Sequence, residues 1–256
     1  MSILPSNKKS LLRYLAITSI GFNLLFLLTY FATTPNHNYI EKDLFLHRRT
    51  FSIVTGYSKD YQLFIDNYYN KTNMKKVIYA NHNSTITYDN AEMRYIDFSQ
   101  KLAQYFSNTT INKLINSKNY KYHLTDFLRT VIALETDMVY SDMDIYYNNN
   151  TAIVKNAEFI MGLFKSDDDY EGIINPGSGL FYLEKETLQK LIHIQNTEYL
   201  PNRWVGAANR FFHKYINNVV LIRMNYWKGC KKSYLEFPII HIGSIQRKCL
   251  KEWNLV

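Results

Sequence analysis

The longest apolar stretch in the chain comes first. From Tyr14 to Ile40 no residue carries a formal charge, and Leu15, Ile17, Phe22, Leu24, Leu25, Phe26, Leu27, Leu28, Tyr30 and Phe31 make its heart apolar. A bilayer span needs about 20 such residues. Residues 14–34 meet that length, with Lys8, Lys9 and Arg13 before them and Glu41 the first charge after them. The positive-inside rule then predicts a cytosolic tail over 1–13, a signal anchor over 14–34, a stem over 35–45 and a luminal domain over 46–256. A cleaved signal peptide fits less well. Its apolar region is shorter, and Phe31-Ala32-Thr33-Thr34 lacks a small-x-small cleavage site.

Beyond the anchor the pattern breaks into short elements. Strands are predicted at 75–80, closed by Asn81-His82-Asn83, and at 93–98, 138–142 and 179–183. Helices are predicted from 101, over 125–135 with Thr125 as N-cap, and over 206–215. Asn175, Gly177, Ser178 and Gly179 read as a turn, with the glycines serving it. No strand is evident before Thr50. Strands alternating with helices predict an α/β domain with a mixed sheet and helices on both faces. Such sheets take ligands beyond the carboxyl ends of their strands, so chemistry is sought just after strands.

Composition narrows this picture. With 46% hydrophobic and 20% charged residues, a packed core is within reach and wholesale disorder is excluded. Two cysteines rule out a disulfide-dense scaffold and a four-cysteine zinc site, although a lumen permits a Cys230–Cys249 bridge. Four N-x-[ST] sequons, at Asn70, Asn83, Asn108 and Asn149, are compatible with a glycoprotein. The net charge of +8 suits anionic donors and membrane surfaces. Nucleic acid is not the expected partner, because the basic residues are scattered and form no known binding motif.

Asp142-Met143-Asp144 follows the strand-like run ending at Ser141. In an extended chain, residues two apart share a face, so both carboxylates should project together. Paired hard oxygen ligands suit Mn²⁺ or Mg²⁺, which can hold a diphosphate. Twelve aspartates make an isolated Asp-x-Asp common by chance, and Asp167-Asp168-Asp169 supplies a second match that reads as a solvated turn. The first match has a richer context. Thr125-Asp126, Arg129, Tyr140, Asp142 and Asp144 fall in register with Ser-Asp-x-x-Arg, seven residues, then Gly-Gly-x-Tyr-x-Asp-x-Asp. The stretch therefore resembles the DXD-containing glycosyltransferases of the α-1,4-glycosyltransferase and family 32 mannosyltransferase type. One departure stands out, since Asp137-Met138 occupies the glycine pair. Asp tolerates a left-handed backbone better than Met does.

That resemblance implies a GT-A-like nucleotide-sugar-binding fold behind the membrane anchor. It implies a type II Golgi membrane protein that retains the donor's anomeric configuration. The donor would be UDP-galactose or a UDP-N-acetylhexosamine, and the acceptor a glycolipid or glycoprotein glycan, taken in α-linkage. Asp142 and Asp144 would bind Mn²⁺ or Mg²⁺. Asp126, Arg129 and Tyr140 would meet the donor and its surroundings. Without the family, Asp126 and Arg129 read as an ordinary surface helix pair. Weaker similarity runs through Met93 to Phe98, Thr109-Thr110 and Trp204-Val205-Gly206-Ala207. Ile239 to Ser244 resembles the family's closing His and Ser region, with Ile245 at its tryptophan. By it, Ser244 joins the donor-binding set and His241 becomes a third metal ligand; among isoleucines, His241 reads equally as a core histidine. Arg223 to Lys228 suits an acceptor or a charged strand edge. The competing function is a catalytically inactive relative that binds glycans or a partner, prompted by the lost glycines.

Overall fold

A computed structural model describes residues 39–40, 48–148, 158–163, 175–201, 220–224, 239–242 and 249–254. The predicted anchor, the 206–215 helix, Asp167 to Asp169, Ser244 and the sequon at Asn149 lie outside the described residues. No helix among the described residues is long and apolar enough to cross a membrane.

Strand β1 (Tyr39–Ile40) precedes β2 (Thr50–Val54), and α1 (Tyr61–Thr72) leads to β3 (Lys76–Asn81) and β4 (Ala91–Ile96). Three helices follow, α2 (Phe98–Ala103), α3 (Asn108–Ile115) and α4 (Tyr120–Thr136). Then come β5 (Val139–Ser141), β6 (Ile145–Tyr147), β7 (Phe159–Leu163) and β8 (Asn175–Tyr182). Helix α5 (Lys185–Glu198), β9 (Val220–Met224) and β10 (Ile239–His241) complete the described elements.

The strands form one mixed sheet in the order β4-β3-β2-β5-β8-β7-β9-β10-β6, with β1 beside β9. Strands β4, β3, β2 and β5 are mutually parallel, whereas β8 and β6 run against their neighbours. The chain builds outward from β2 to β3 and β4, then returns to the other side of β2 as β5. The switch in direction therefore falls between β2 and β5, and ligand crevices in open α/β sheets open there. All five residues of β2 are buried, as befits a strand covered on both faces.

Alternation divides the side chains between the two faces. Phe51, Val77, Tyr79 and Tyr140 pack with Leu124, Phe127, Leu128 and Val131 of α4. Val54, Ile78 and Ala80 pack with Ile65 of α1 on the opposite face. Phe64 of α1 joins Ile240, Ile242, Leu250 and Trp253 in a further cluster that contains Cys249, which is disulfide-bonded.

Several boundaries move from where the local pattern puts them. A strand does precede Thr50, since β1 (Tyr39–Ile40) pairs in parallel with β9, and β2 (Thr50–Val54) opens the parallel run β4-β3-β2-β5. Helix α4 starts at Tyr120, before Thr125, and Asn119 takes the N-cap position. Thr125 is internal, and its hydroxyl donates back to the Lys121 carbonyl at 3.1 Å. The helix expected from 101 begins at Phe98, where the Asp97 side chain accepts from the Ser99 and Gln100 amides. Asn175, Gly177, Ser178 and Gly179 lie in β8 rather than in a turn, because they pair with β7 and, through Gly179, with Asp142.

The replaced glycine pair is accommodated. Asp137 ends α4 in the left-handed conformation at φ 53, the setting in which glycine is usual. Its carboxylate is held by Arg48 and accepts from the Tyr182 hydroxyl at 2.8 Å. Met138 is not among the positive-φ residues; it is buried and packs in the α4 core. Asp137→Gly is therefore expected to stay within about 1 kcal/mol of wild type. Met138→Gly should lose about 3 kcal/mol or more through the cavity it leaves. Denaturant melts of the two variants check this.

Candidate metal and donor site

The site lies at the carboxyl end of β5. The Asp142 amide donates to the Gly179 carbonyl at 2.6 Å, which fixes the end of β5 to its antiparallel neighbour. Met143 and Asp144 then turn, so the two carboxylates converge through a turn and not along an extended strand. Met143 points away into the apolar cluster beneath α1. Strand β10 pairs antiparallel with β6, placing His241 opposite Ile145, and the Ile242 amide donates to the Asp144 carbonyl at 3.0 Å. This ladder brings His241 Nε2 to 3.1 Å from Asp144 Oδ1 and 3.8 Å from Asp142 Oδ2. Ligand atoms of all three residues lie within 4.8 Å of one another, a spacing that fits one divalent cation. His241 is buried, and its Nε2 faces both carboxylates.

Behind this trio stands a second layer carried by α4. Asp126 and Arg129 form an ion pair, and both are buried, so they are not a surface helix pair. Arg129 Nη1 lies 4.0 Å from Asp142 Oδ1, and the guanidinium sits over the Tyr140 ring at 4.8 Å. The Tyr140 hydroxyl donates to Asp142 Oδ1 at 2.5 Å. Gln195 of α5 donates to the Asp126 carbonyl at 3.2 Å and pins this part of the helix.

Charge here is crowded, with His241 buried and the Asp142 and Asp144 carboxylates half-buried. Burial raises the Asp142 pKa; Arg129 opposes that shift, and Asp144 adds to it. Burial likewise raises Asp126, with Arg129 pulling it back. For His241 burial favours the neutral ring, but Asp144 and Asp142 outweigh it and the pKa is raised from 6.5. A divalent cation there would compete with protons for the same ligand atoms.

Two groups near the site carry no readable signal in the sequence. Lys76 is fully buried, and its Nζ donates to Ser141 Oγ and to the Asp142 carbonyl, both at 3.2 Å. Burial lowers its pKa to about 7, against the pull of Asp142 and Asp144. The only hint is a lysine inside a β-rich run. Tyr57, just beyond the carboxyl end of β2, is 67% exposed and stacks on Tyr88 with centroids 5.8 Å apart and planes within 7°. Tyr88 shares its apolar cluster with Val54 and Met143, which ties this shelf to the carboxylate turn.

No family model and no curated protein matches the sequence. Among solved structures the chain is similar to the PaToxG glycosyltransferase, at 14% identity and a TM-score of 0.40 over 94% of this chain and 79% of that one. It is also similar to a mutant transferase, at 13% identity and a TM-score of 0.43 over 68% of this chain and 87% of that one. Likeness this faint says nothing of substrate.

Of the residues singled out from the sequence, Asp126, Arg129, Tyr140, Asp142, Asp144 and His241 are brought together. Because a ligating imidazole must be neutral and its carboxylates ionised, protons compete with the cation. Mn²⁺ affinity should rise with pH through and above the ordinary histidine range. His241→Asn should bind Mn²⁺ more weakly and with a flatter pH profile, measured by paramagnetic resonance of free Mn²⁺.

Proposed function

We propose that the chain is a metal-dependent, retaining glycosyltransferase. It would move a hexose or N-acetylhexosamine from a UDP-sugar to a glycolipid or glycoprotein glycan in α-linkage. Its setting would be the Golgi membrane, as a type II protein with the catalytic domain in the lumen. The observation that carries the reading is the convergence of Asp142, Asp144 and His241 within 4.8 Å at the carboxyl edge of the sheet. The Asp126–Arg129 pair stands directly behind it. The mixed α/β architecture, with its crevice between β2 and β5, fits a GT-A-like nucleotide-sugar site. The uncharged segment behind a basic tail and the disulfide-bonded Cys249 support a luminal placement.

Each residue has work of its own. Asp142, Asp144 and His241 Nε2 would hold Mn²⁺ or Mg²⁺. Such a cation, when bound, withdraws negative charge from the departing diphosphate oxygen. Arg129 holds the Asp126 carboxylate by an ion pair, and Asp126 would accept from a hydroxyl of the donor sugar. Tyr140 fixes one oxygen of Asp142. Tyr57, backed by Tyr88, offers a flat face for the uracil ring. In the transfer, the bond from the anomeric carbon to the diphosphate oxygen breaks. The acceptor oxygen bonds to that carbon on the same face, and its proton passes to the leaving phosphate. No base from the protein is required on this route. The glycine replacement that suggested an inactive relative loses its force, since Asp137 already supplies the left-handed backbone.

The test is calorimetry of UDP with the full chain in detergent. Binding is expected with Mn²⁺ and is expected to vanish with EDTA or in Asp142→Asn/Asp144→Asn. A folded wild type that ignores UDP in the presence of Mn²⁺ would overturn the proposal. Tyr57→Ala should weaken UDP about tenfold, in keeping with the cost of losing one stacked base.

A further inference from the structure

We propose that Lys76 is a positioning residue for the metal-binding turn, fixing the main chain of Asp142 from the face of the sheet opposite Arg129. This rests on Asp142, Asp144 and His241 being a cation site. The register of the strands makes the geometry. Phe51 pairs with both Val77 and Tyr140, and all three side chains join the cluster beneath α4. Their neighbours Lys76, Ser52 and Ser141 therefore point the other way, toward α1. Arg129 and the Tyr140 hydroxyl reach the Asp142 carboxylate from the α4 side. From the α1 side Lys76 Nζ crosses beneath β2 to Ser141 Oγ and the Asp142 carbonyl. One side of the sheet thus holds the carboxylate, and the other holds the peptide that carries it.

The surroundings of Lys76 are built for this contact. The Ser52 hydroxyl donates to the Ser141 carbonyl, and the Tyr147 hydroxyl donates to Ser141 Oγ at 2.8 Å. Tyr68 of α1 lies 5.9 Å beneath the lysine nitrogen, and Tyr68 and Tyr147 meet edge to face. The acceptors of Lys76 are a hydroxyl and a carbonyl, and these accept from an ammonium or an amine alike. An aliphatic side chain would fill the same space without the cost of desolvating a cation. Nothing in the packing of β3 therefore calls for lysine, whereas the Asp142 peptide does.

The two possible roles of Lys76 predict opposite signs. As a nearby positive charge alone, it opposes cation binding, and removing it should tighten Mn²⁺. As a positioning residue, its removal loosens Asp142 and weakens Mn²⁺. The test measures Mn²⁺ alone binding to the full chain by paramagnetic resonance, well below the melting temperatures of all variants. Lys76→Met is expected to bind Mn²⁺ about tenfold more weakly while melting no lower than wild type. Ser141→Ala, which removes one of the two acceptors and the serine hydroxyl's own bond to the Asp142 carbonyl, should weaken binding about threefold. The double variant should lose less than the two single losses added together, since both side chains reach the one Asp142 carbonyl. Unchanged or tighter Mn²⁺ binding by Lys76→Met, with Asp142→Asn abolishing it, would overturn the role of Lys76 and leave the cation site standing. No Mn²⁺ binding by wild type would overturn both. Should Lys76→Met not fold, unchanged binding by Ser141→Ala would overturn the proposal.

Discussion

Two aspartates and a histidine share a space less than 5 Å across, and the main chain between the aspartates must still turn. Like charges at such a distance resist being held together, the more so where partial burial reduces their contact with water. The rest of the site exists to overcome that resistance. The Asp142 amide is spent on Gly179, its carbonyl on Lys76 and one of its carboxylate oxygens on Tyr140. Asp142 is left with little freedom except in the direction of His241 and Asp144. A site prearranged in this way gives up little entropy when a cation arrives.

The sheet topology explains why these groups can meet at all. Helix α4 leads into β5 through Asp137 and Met138 alone, and its buried residues pack with Phe51 and Tyr140 of the sheet. This brings Arg129, with its partner Asp126, to 4.0 Å from Asp142 and over the Tyr140 ring. The return of the chain past β2 puts the Tyr57 shelf and the Asp142 turn on adjacent strand ends. The late pairing of β10 with β6 then closes the cluster with His241. Each of the three contributions comes from a different crossover, and none would suffice alone.

The junction between α4 and β5 shows how a change of sequence can leave a backbone intact. The left-handed residue there is Asp137, whose carboxylate finds Arg48 and Tyr182. The following residue needs no special angle and uses a methionine to fill the core. A glycine pair in a pattern is thus two separate requirements, one of them conformational and the other spatial.

Much of this is legible in local chemistry. The β-rich runs near 77 and 139 mark real strands, because β-branched and aromatic residues suit a surface buried on both sides. The spacing of Asp126, Arg129, Tyr140, Asp142 and Asp144 marks the site, since those residues lie within one helix, one turn and one strand. Their grouping is fixed by local geometry. Thr125 misleads because a threonine before an apolar run has the chemistry of a cap, and only the packing of Tyr120 and Leu124 with the core extends the helix past it. Asn175 to Gly179 mislead because turn-forming residues can be held in a strand by their neighbours β7 and β5. Whether His241 is a ligand or merely core is undecidable from a chain that separates it from Asp144 by nearly a hundred residues. Lys76 is invisible for the same reason. Sequence by itself determined the strand and helix alphabet and the acidic motif, which depend on near neighbours. The tertiary structure alone decided which distant side chains neutralise and steady that motif, because strand register, not sequence spacing, sets what lies across a sheet.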